Sequence, residues 1–283
     1  MSSNSFILQE GSRLKILYIA DVVGKPGRTM FKYHIAKIRE KYAPDYIVVN
    51  GENASHGFGL TTKNAKELFN AGVDLFTGGN HSWDKRDSMS LLEEGRVLRP
   101  INYPKAAPGR GSAIVEVAGE SLAVINLMGY YTMPMVDNPF TMIVEEVARL
   151  RDQGYNNIFI DFHAEATSEK RALLAMLKGK VSAICGSHTH VGTDDLTIDE
   201  GTFYVTDVGL TGCRDNVIGM DVRQPLDRFL TGVGGKFDVP SRCRRILQGV
   251  LFEIDGGKCV DAFKIKAYDE REVEICQHAY RED

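Results

Sequence analysis

Five short polar stretches stand where apolar runs end: Asp21, Gly51-Glu52-Asn53, Gly79-Asn80-His81, Phe162-His163-Ala164 and Gly186-Ser187-His188-Thr189-His190. Carboxylate, amide oxygen and imidazole are the ligand types that a pair of hard-to-borderline divalent ions prefers. Two such ions about 3.5–4 Å apart can share a bridging water and clamp a phosphoryl group. The order acid, acid, Asn-His, His, His-x-His is therefore what two-metal phosphoester chemistry needs.

The elements that must position these residues alternate along the chain. Leu14–Ala20 is a continuous apolar run, which predicts a buried strand. Gly24-Lys25-Pro26-Gly27 reads as a turn, and residues 28–41 carry helical spacing through Phe31, Ile35 and Ile38. Strands are expected at Tyr46–Asn50 and Val73–Thr77, with a helix capped by Thr61 or Thr62 between them. A short helix is expected over Asp87–Glu94. Ser112–Val117 and Ser121–Leu127 flank Ala-Gly-Glu, a hairpin signal. Beyond it the pattern predicts a helix near Pro139–Gln153, a strand at Asn157–Phe162, a helix at Thr167–Lys178, and strands at Val181–Gly186 and Thr202–Thr206. Gln248–Ile254 and Lys258–Ala267 form a second hairpin around Asp-Gly-Gly. Residues 207–247 are rich in Gly, Asp and Arg and mostly irregular, with a helix near Pro225–Leu230. Two βαβ-rich halves joined around hairpins predict an α/β protein with two packed sheets flanked by helices.

Asp21, Glu52, Asn80, His163 and His188 all fall just after the last apolar residues of expected strands. Ligands of α/β sheets gather at the carboxyl ends of strands. Taken singly, each has a blander reading. An Asp after a strand is more often a turn former or helix cap, and Glu52-Asn53 could be a solvated loop. His188 and His190 are more specific, because alternation in extended chain puts both on one side. His34 and His56 have no matching context and read as structural. Gly24–Arg28 leads into a helix N-terminus, which is either an anion site or a plain βα turn. Tyr130 and Tyr131 could stack a base or simply pack, and Thr206–Gly212 could wall a pocket.

The ordered set resembles the calcineurin-like metallophosphoesterase superfamily, whose order is Asp, Gly-Asp, Gly-Asn-His, His, Gly-His-x-His. More narrowly, the chain is similar to the YmdB-like branch over residues 14–267. The residues that carry this are Asp21-Val22-Val23-Gly24, Asn50-Gly51-Glu52-Asn53-Ala54, Gly79-Asn80-His81-Ser82-Trp83-Asp84, Phe162 to Lys170, Gly186 to Thr193, and Thr206-Asp207-Val208-Gly209. Val23 stands where the broad superfamily has a His, and Glu52 where it has an Asp. Both departures belong to the narrower branch.

The resemblance implies a four-layer α/β/β/α sandwich, a single metallophosphoesterase domain over residues 14–283. It also implies phosphodiesterase activity on 2′,3′-cyclic nucleotides. Two metal ions would be held, one by Asp21, Glu52, His190 and Asn53, the other by Glu52, Asn80, His163 and His188. Iron or manganese is expected, with zinc or magnesium as alternatives. A hydroxide bridging the ions would attack phosphorus, with His81 protonating the leaving oxygen or, as the alternative, orienting a ligand. Other readings are a phosphomonoesterase or nucleotidase on the same site, and a regulatory nucleotide-binding protein with little turnover.

Composition narrows the partners. The chain has 283 residues, 43% hydrophobic, with a formal net charge of -4, so it can build a sizeable core. No Lys/Arg block stands out, which argues against gripping a long nucleic acid. The expected partner is a small phosphoester, with room for a homo-oligomer. No apolar run is long enough for a membrane helix, and residues 1–13 read as a disordered extension rather than a signal peptide. Five scattered cysteines, odd in number, argue against a disulfide framework and for a reducing, cytoplasmic location. Cys185, inside an apolar run, reads as a buried core residue.

Overall fold

Apolar runs become strands that are covered on both faces. Leu14–Ile19 forms β1, with every residue but Lys15 buried, as expected for a strand packed between layers. The computed structural model describes residues 13–282. The extension expected over residues 1–13 lies outside them, apart from Arg13.

One seven-stranded sheet runs β13 (Glu274–His278), β12 (Lys258–Tyr268), β11 (Arg245–Asp255), β1, β2 (Tyr46–Asn50), β3 (Leu75–Thr77), with β10 (Gly212–Cys213) on β11. The other runs β14 (Tyr280–Arg281), β8 (Thr197–Asp199), β9 (Thr202–Val205), β7 (Ala183–Ser187), β6 (Asn157–His163), β5 (Glu120–Met128), β4 (Ser112–Val117). Both are mixed. The β1–β2–β3 set is parallel, and so is β5–β6–β7. Tyr18, Val48, Phe159, Phe203 and Phe252 fill the space between the sheets. Tyr18 meets Phe159 edge-on, with ring centroids 5.1 Å apart, an arrangement that aromatic quadrupoles favour.

Helices cover the two outer faces. α1 (Gly24–Tyr42), α2 (Thr62–Ala71) and α3 (Ser88–Glu93) supply Phe31, Leu68 and Leu91 to a core on the first sheet. α4 (Pro139–Asp152) and α5 (Thr167–Leu177) supply Val147 and Leu173 to a core on the second. The result is the expected α/β/β/α sandwich. α2 begins where Thr61 accepts a bond from the Asn64 backbone N–H, which satisfies an otherwise orphaned donor. Among the described residues, no helix is long and apolar enough to cross a membrane.

Two expectations need correcting. Gly24–Gly27 is not a separate turn: it is the first turn of α1, where Pro26 needs no backbone donor. The cysteines are not all free either: Cys213 and Cys243 form a disulfide, with Cα atoms 5.6 Å apart. Their separation of 30 residues hides the pair in the sequence. Pairing of Cys213 with Arg245 across β10 and β11 brings the two ends together. Cys185, Cys259 and Cys276 are free, and Cys185 is buried as expected.

Residues 207–247 hold α6 (Arg223–Thr231). Their first part is tied to the core by a fully buried ion pair. Lys170 Nζ lies 2.9 Å from Asp207 Oδ2 and 2.9 Å from the Ser187 carbonyl. The same Asp207 oxygen accepts from the Thr189 backbone N–H and hydroxyl, at 3.1 and 2.8 Å. One pair thus fixes the chain that follows β7. Replacing Lys170 with Met strands the Asp207 carboxylate in the interior, which should cost about 3–5 kcal/mol. Urea unfolding monitored by circular dichroism measures this; an unchanged midpoint would contradict it.

Candidate active site

The parallel strands of both sheets deliver their carboxyl ends to one place. Asp21 follows β1, Glu52 follows β2, Asn80 follows β3, His163 ends β6, and His188 follows β7. His163 Nε2 lies 3.0 Å from Asn80 Oδ1, 3.2 Å from Glu52 Oε1 and 3.1 Å from His188 Nδ1. His190 Nε2 lies 3.3 Å from Asp21 Oδ2. Among the described residues, one group of His, Cys, Asp or Glu brings three ligand atoms within 4.8 Å of each other: Glu52, His163 and His188.

Hydrogen bonds decide where the protons are. Ser187 donates to Asp161 Oδ1 at 2.7 Å, so Ser187 must accept from His163 Nδ1 at 3.0 Å. Burial pushes the Asp161 carboxyl up, and the neighbouring His163 and Ser187 oppose that. Nδ1 of His163 therefore carries a proton, and a second proton would sit on Nε2. Burial disfavours that second proton, but the Glu52 carboxylate beside it wins and raises His163 to about 9. Glu52 is held well below the usual carboxylate range: burial pushes it up, and His163 more than offsets this. His188 is driven down to about 3 by burial and by His163, so it is neutral. Its Nε2 faces Glu165 Oε2 at 3.0 Å, which leaves a lone pair on Nδ1.

Take the extra proton off His163, and its Nε2, His188 Nδ1, Asn80 Oδ1 and Glu52 Oε1 present only lone pairs to one another. One nitrogen with one proton cannot satisfy three such neighbours. A cation can. The second half of the site has the same shortage. His190 donates from Nδ1 to the Ile218 carbonyl at 2.7 Å, which turns its Nε2 toward Asp21 Oδ2 at 3.3 Å. Asp21 Oδ1 and Asn53 Oδ1 are buried without a hydrogen-bond partner, which is costly unless something else binds them. Burial raises Asp21 to about 6, although His190 and His163 oppose the shift. The donor set thus fits divalent ions.

The backbone is shaped for this convergence. Asp21, His188 and His190 take positive φ values of 40°, 96° and 64°. Such conformations cost on the order of 1–3 kcal/mol each and cluster at functional sites. The His188 backbone N–H donates to Asp21 Oδ2 at 2.7 Å, which helps hold both in place. A side chain at position 79 would collide with Glu52 Oε2 and the His163 ring, so only glycine fits under the cluster.

His81 sits beside the cluster, not in it. Its backbone N–H donates to Glu52 Oε2 at 3.0 Å, and its Nδ1 lies 2.7 Å from Asp84 Oδ2. Its ring meets Phe58 edge-on at 4.9 Å. Glu52, Asn53, His81, His188 and His190 line a cavity of about 370 Å³. Tyr130 and Tyr131 are exposed and not among its lining residues. Nor are Thr206–Gly212, although Asp207 braces the site from behind. Arg28 lines a separate, larger cavity of about 680 Å³ beside Lys25 and Arg242. Its guanidinium is already bonded to Glu67 and to the Ala54 carbonyl. His34 is structural, with Nε2 2.7 Å from the Asp269 carbonyl.

Several supporting roles escaped sequence reasoning, those of Asp161 and the Ile218 carbonyl and those of Ser187, Glu165 and Asp84, which lie inside the stretches already singled out. A signal existed for Asp161. It lies two residues before His163 on a strand, hence on the same face.

A four-layer α/β/β/α sandwich with carboxylates and imidazoles at the strand ends of both sheets defines a metallophosphoesterase-type protein. Residues 17–265 match the family described as YmdB-like protein, and the chain belongs to that family. It is 44% identical over 244 residues to the 2′,3′-cyclic-nucleotide 2′-phosphodiesterase of Bacillus subtilis (strain 168), covering 86% of this chain and 92% of that one. A solved structure of a hypothetical protein from Thermus thermophilus superposes with a TM-score of 0.85 at 38% identity, covering 90% of this chain and 100% of the other. A novel phosphatase from Mycoplasma pneumoniae superposes with a TM-score of 0.86 at 34% identity, covering 91% and 94%. A metallophosphoesterase-type family implies divalent metal ions.

A cation entering between Glu52, His163 and His188 must displace the His163 proton, which is held up to about pH 9 in the metal-free chain. Affinity for Mn²⁺ should therefore climb by about tenfold per pH unit from 7 towards 9 and then level off. Calorimetric titration in buffers of different ionisation enthalpy would show about one proton released per ion bound at this position. Binding that is independent of pH and releases no proton would contradict the assignment of protons.

Proposed function

We propose that the chain is a metal-dependent phosphodiesterase, a hydrolase that opens 2′,3′-cyclic nucleotides. The observation that carries this is the convergence of Glu52, Asn80 and His188 on His163 Nε2, each within 3.0–3.2 Å, with Glu52 and His188 lining a cavity. The name of the Bacillus subtilis relative supports the substrate class. We read residues 14–283 as one domain.

In this reading Glu52, Asn80, His163 and His188 would hold one ion, and Asp21, Asn53 and His190, together with Glu52, would hold the other. Iron or manganese suits the mixed imidazole and carboxylate donors better than magnesium. Bound ions supply charge neutralisation at the phosphoryl oxygens and lower the pKa of a water. The chain's own residues do the rest. Glu52 uses Oε2 to fix the His81 backbone and Oε1 to face His163. Asp84 holds Nδ1 of His81, which leaves Nε2 as the proton-carrying atom for the leaving ribose oxygen. In a cyclic phosphate the leaving oxygen stays tethered to the sugar, so one well-placed acid is enough.

The partner is then a small phosphoester. We read the protein as cytoplasmic, where a bond such as Cys213–Cys243 is open to reduction. Partly exposed edge strands such as β13 leave room for a homo-oligomer.

His81→Ala should keep the metal content of the wild type and lose turnover of 2′,3′-cyclic AMP by about 10²–10⁴-fold. Elemental analysis and a product assay on the same preparation check both halves. Normal turnover in the variant would remove His81 from the chemistry. Wild-type protein that carries metal but hydrolyses only a nucleoside monophosphate would replace the diesterase reading with a monoesterase one.

A further inference from the structure

The apolar part of the cavity lining differs sharply from its polar floor. Phe58, Met220, Phe229 and Phe237 form it, with Arg228 among them. Most of this wall comes from the segment between Cys213 and Cys243. That segment is fixed at several points: by the disulfide, by the Ile218 carbonyl on His190 at 2.7 Å, and by Asp221 N–H to the Asp238 carbonyl at 2.8 Å. It is thus registered directly against a residue of the polar cluster.

Phe229 is 82% exposed at the cavity's mouth. A large aromatic ring left in water beside a reactive centre is an unmet apolar surface. Arg228 extends the same surface, its guanidinium 5.8 Å from the Phe237 ring centroid. Among the described residues, no carboxylate pairs with Arg228. Aromatic rings and a stacked guanidinium form the kind of platform on which a nucleobase lies flat. A cavity of about 370 Å³ is within the range of small-ligand sites.

We propose that α6 and its flanks form the nucleobase subsite, with Phe229 and Phe237 as specificity-determining residues that stack the base while its phosphate meets the polar floor. This rests on the reading of the chain as a cyclic-nucleotide phosphodiesterase. The subsite gives binding energy to substrates that carry a base and none to the bare sugar phosphate.

The test compares metal-loaded wild type and Phe229→Ala on 2′,3′-cyclic AMP and on the 2′,3′-cyclic phosphate of methyl riboside, which lacks a base. Phe229 is exposed, so the variant should fold as the wild type does. The expected result is a KM about tenfold higher for the nucleotide, with kcat retained, and a base-free KM within about twofold of wild type. Phe229→Trp should restore the low KM. Equal changes on both substrates, or none on either, would overturn the subsite. Equilibrium binding of adenosine 3′-monophosphate against inorganic phosphate gives a readout that does not need turnover. The wild type should favour the nucleotide and Phe229→Ala should lose that preference; an unchanged preference would again overturn the subsite. If wild type turns over neither cyclic phosphate but shows the binding preference, the catalytic reading fails and the subsite stands.

Discussion

The position of one proton organises this site. Ser187 gives its hydrogen to Asp161, so His163 must keep one on Nδ1. That choice turns the other nitrogen toward Glu52, Asn80 and His188. Nε2 then has either a second proton, stabilised by Glu52, or a lone pair among lone pairs. In the reading proposed above, a proton and a metal cation would compete for this one place. Support for His163 comes from behind, where hydrogen-bonded partners commonly set the basicity and orientation of an imidazole ligand.

The surroundings of that point hold atoms that would otherwise repel or go unsatisfied. Positive φ at Asp21, His188 and His190 is tolerated because hydrogen bonds, and the Lys170–Asp207 pair, fix the loops that carry them. Glycine at 79 leaves room for Glu52 and His163 to approach. The two sheets contribute unequally. The first brings carboxylates and amides, the second brings imidazoles, so the site forms only when the sheets are packed together. The inter-sheet core around Tyr18, Phe159 and Phe252 is therefore also what aligns the chemistry.

Much of this was legible in the sequence, for physical reasons. Apolar runs such as Leu14–Ile19 mark buried strands, and a polar residue right after such a run has to sit at a strand's end. Parallel strands then place Asp21, Glu52 and Asn80 along one edge without any need for close spacing. What could not be read are meetings between distant segments. Nothing local says that Lys170 reaches Asp207, or that Cys213 reaches Cys243 once β10 pairs with β11. The same holds for the Ile218 carbonyl that fixes His190. Gly24–Gly27 misled because glycine and proline punctuate turns, yet both are also at home in a helix's first turn. The aromatic wall lies in the stretch that periodicity describes least, and its residues come together only when that stretch folds back against His190.

The most direct test is to locate the metal. Crystals of protein loaded with Mn²⁺ would be measured at the metal's absorption edge, for wild type and for Glu52→Gln. The expected result is anomalous density within coordination distance of His163 Nε2, His188 Nδ1, Asn80 Oδ1 and Glu52 in the wild type, and its loss or marked weakening in the variant. Density elsewhere, or full occupancy without the Glu52 carboxylate, would contradict the claim that this lone-pair cluster is the cation's seat.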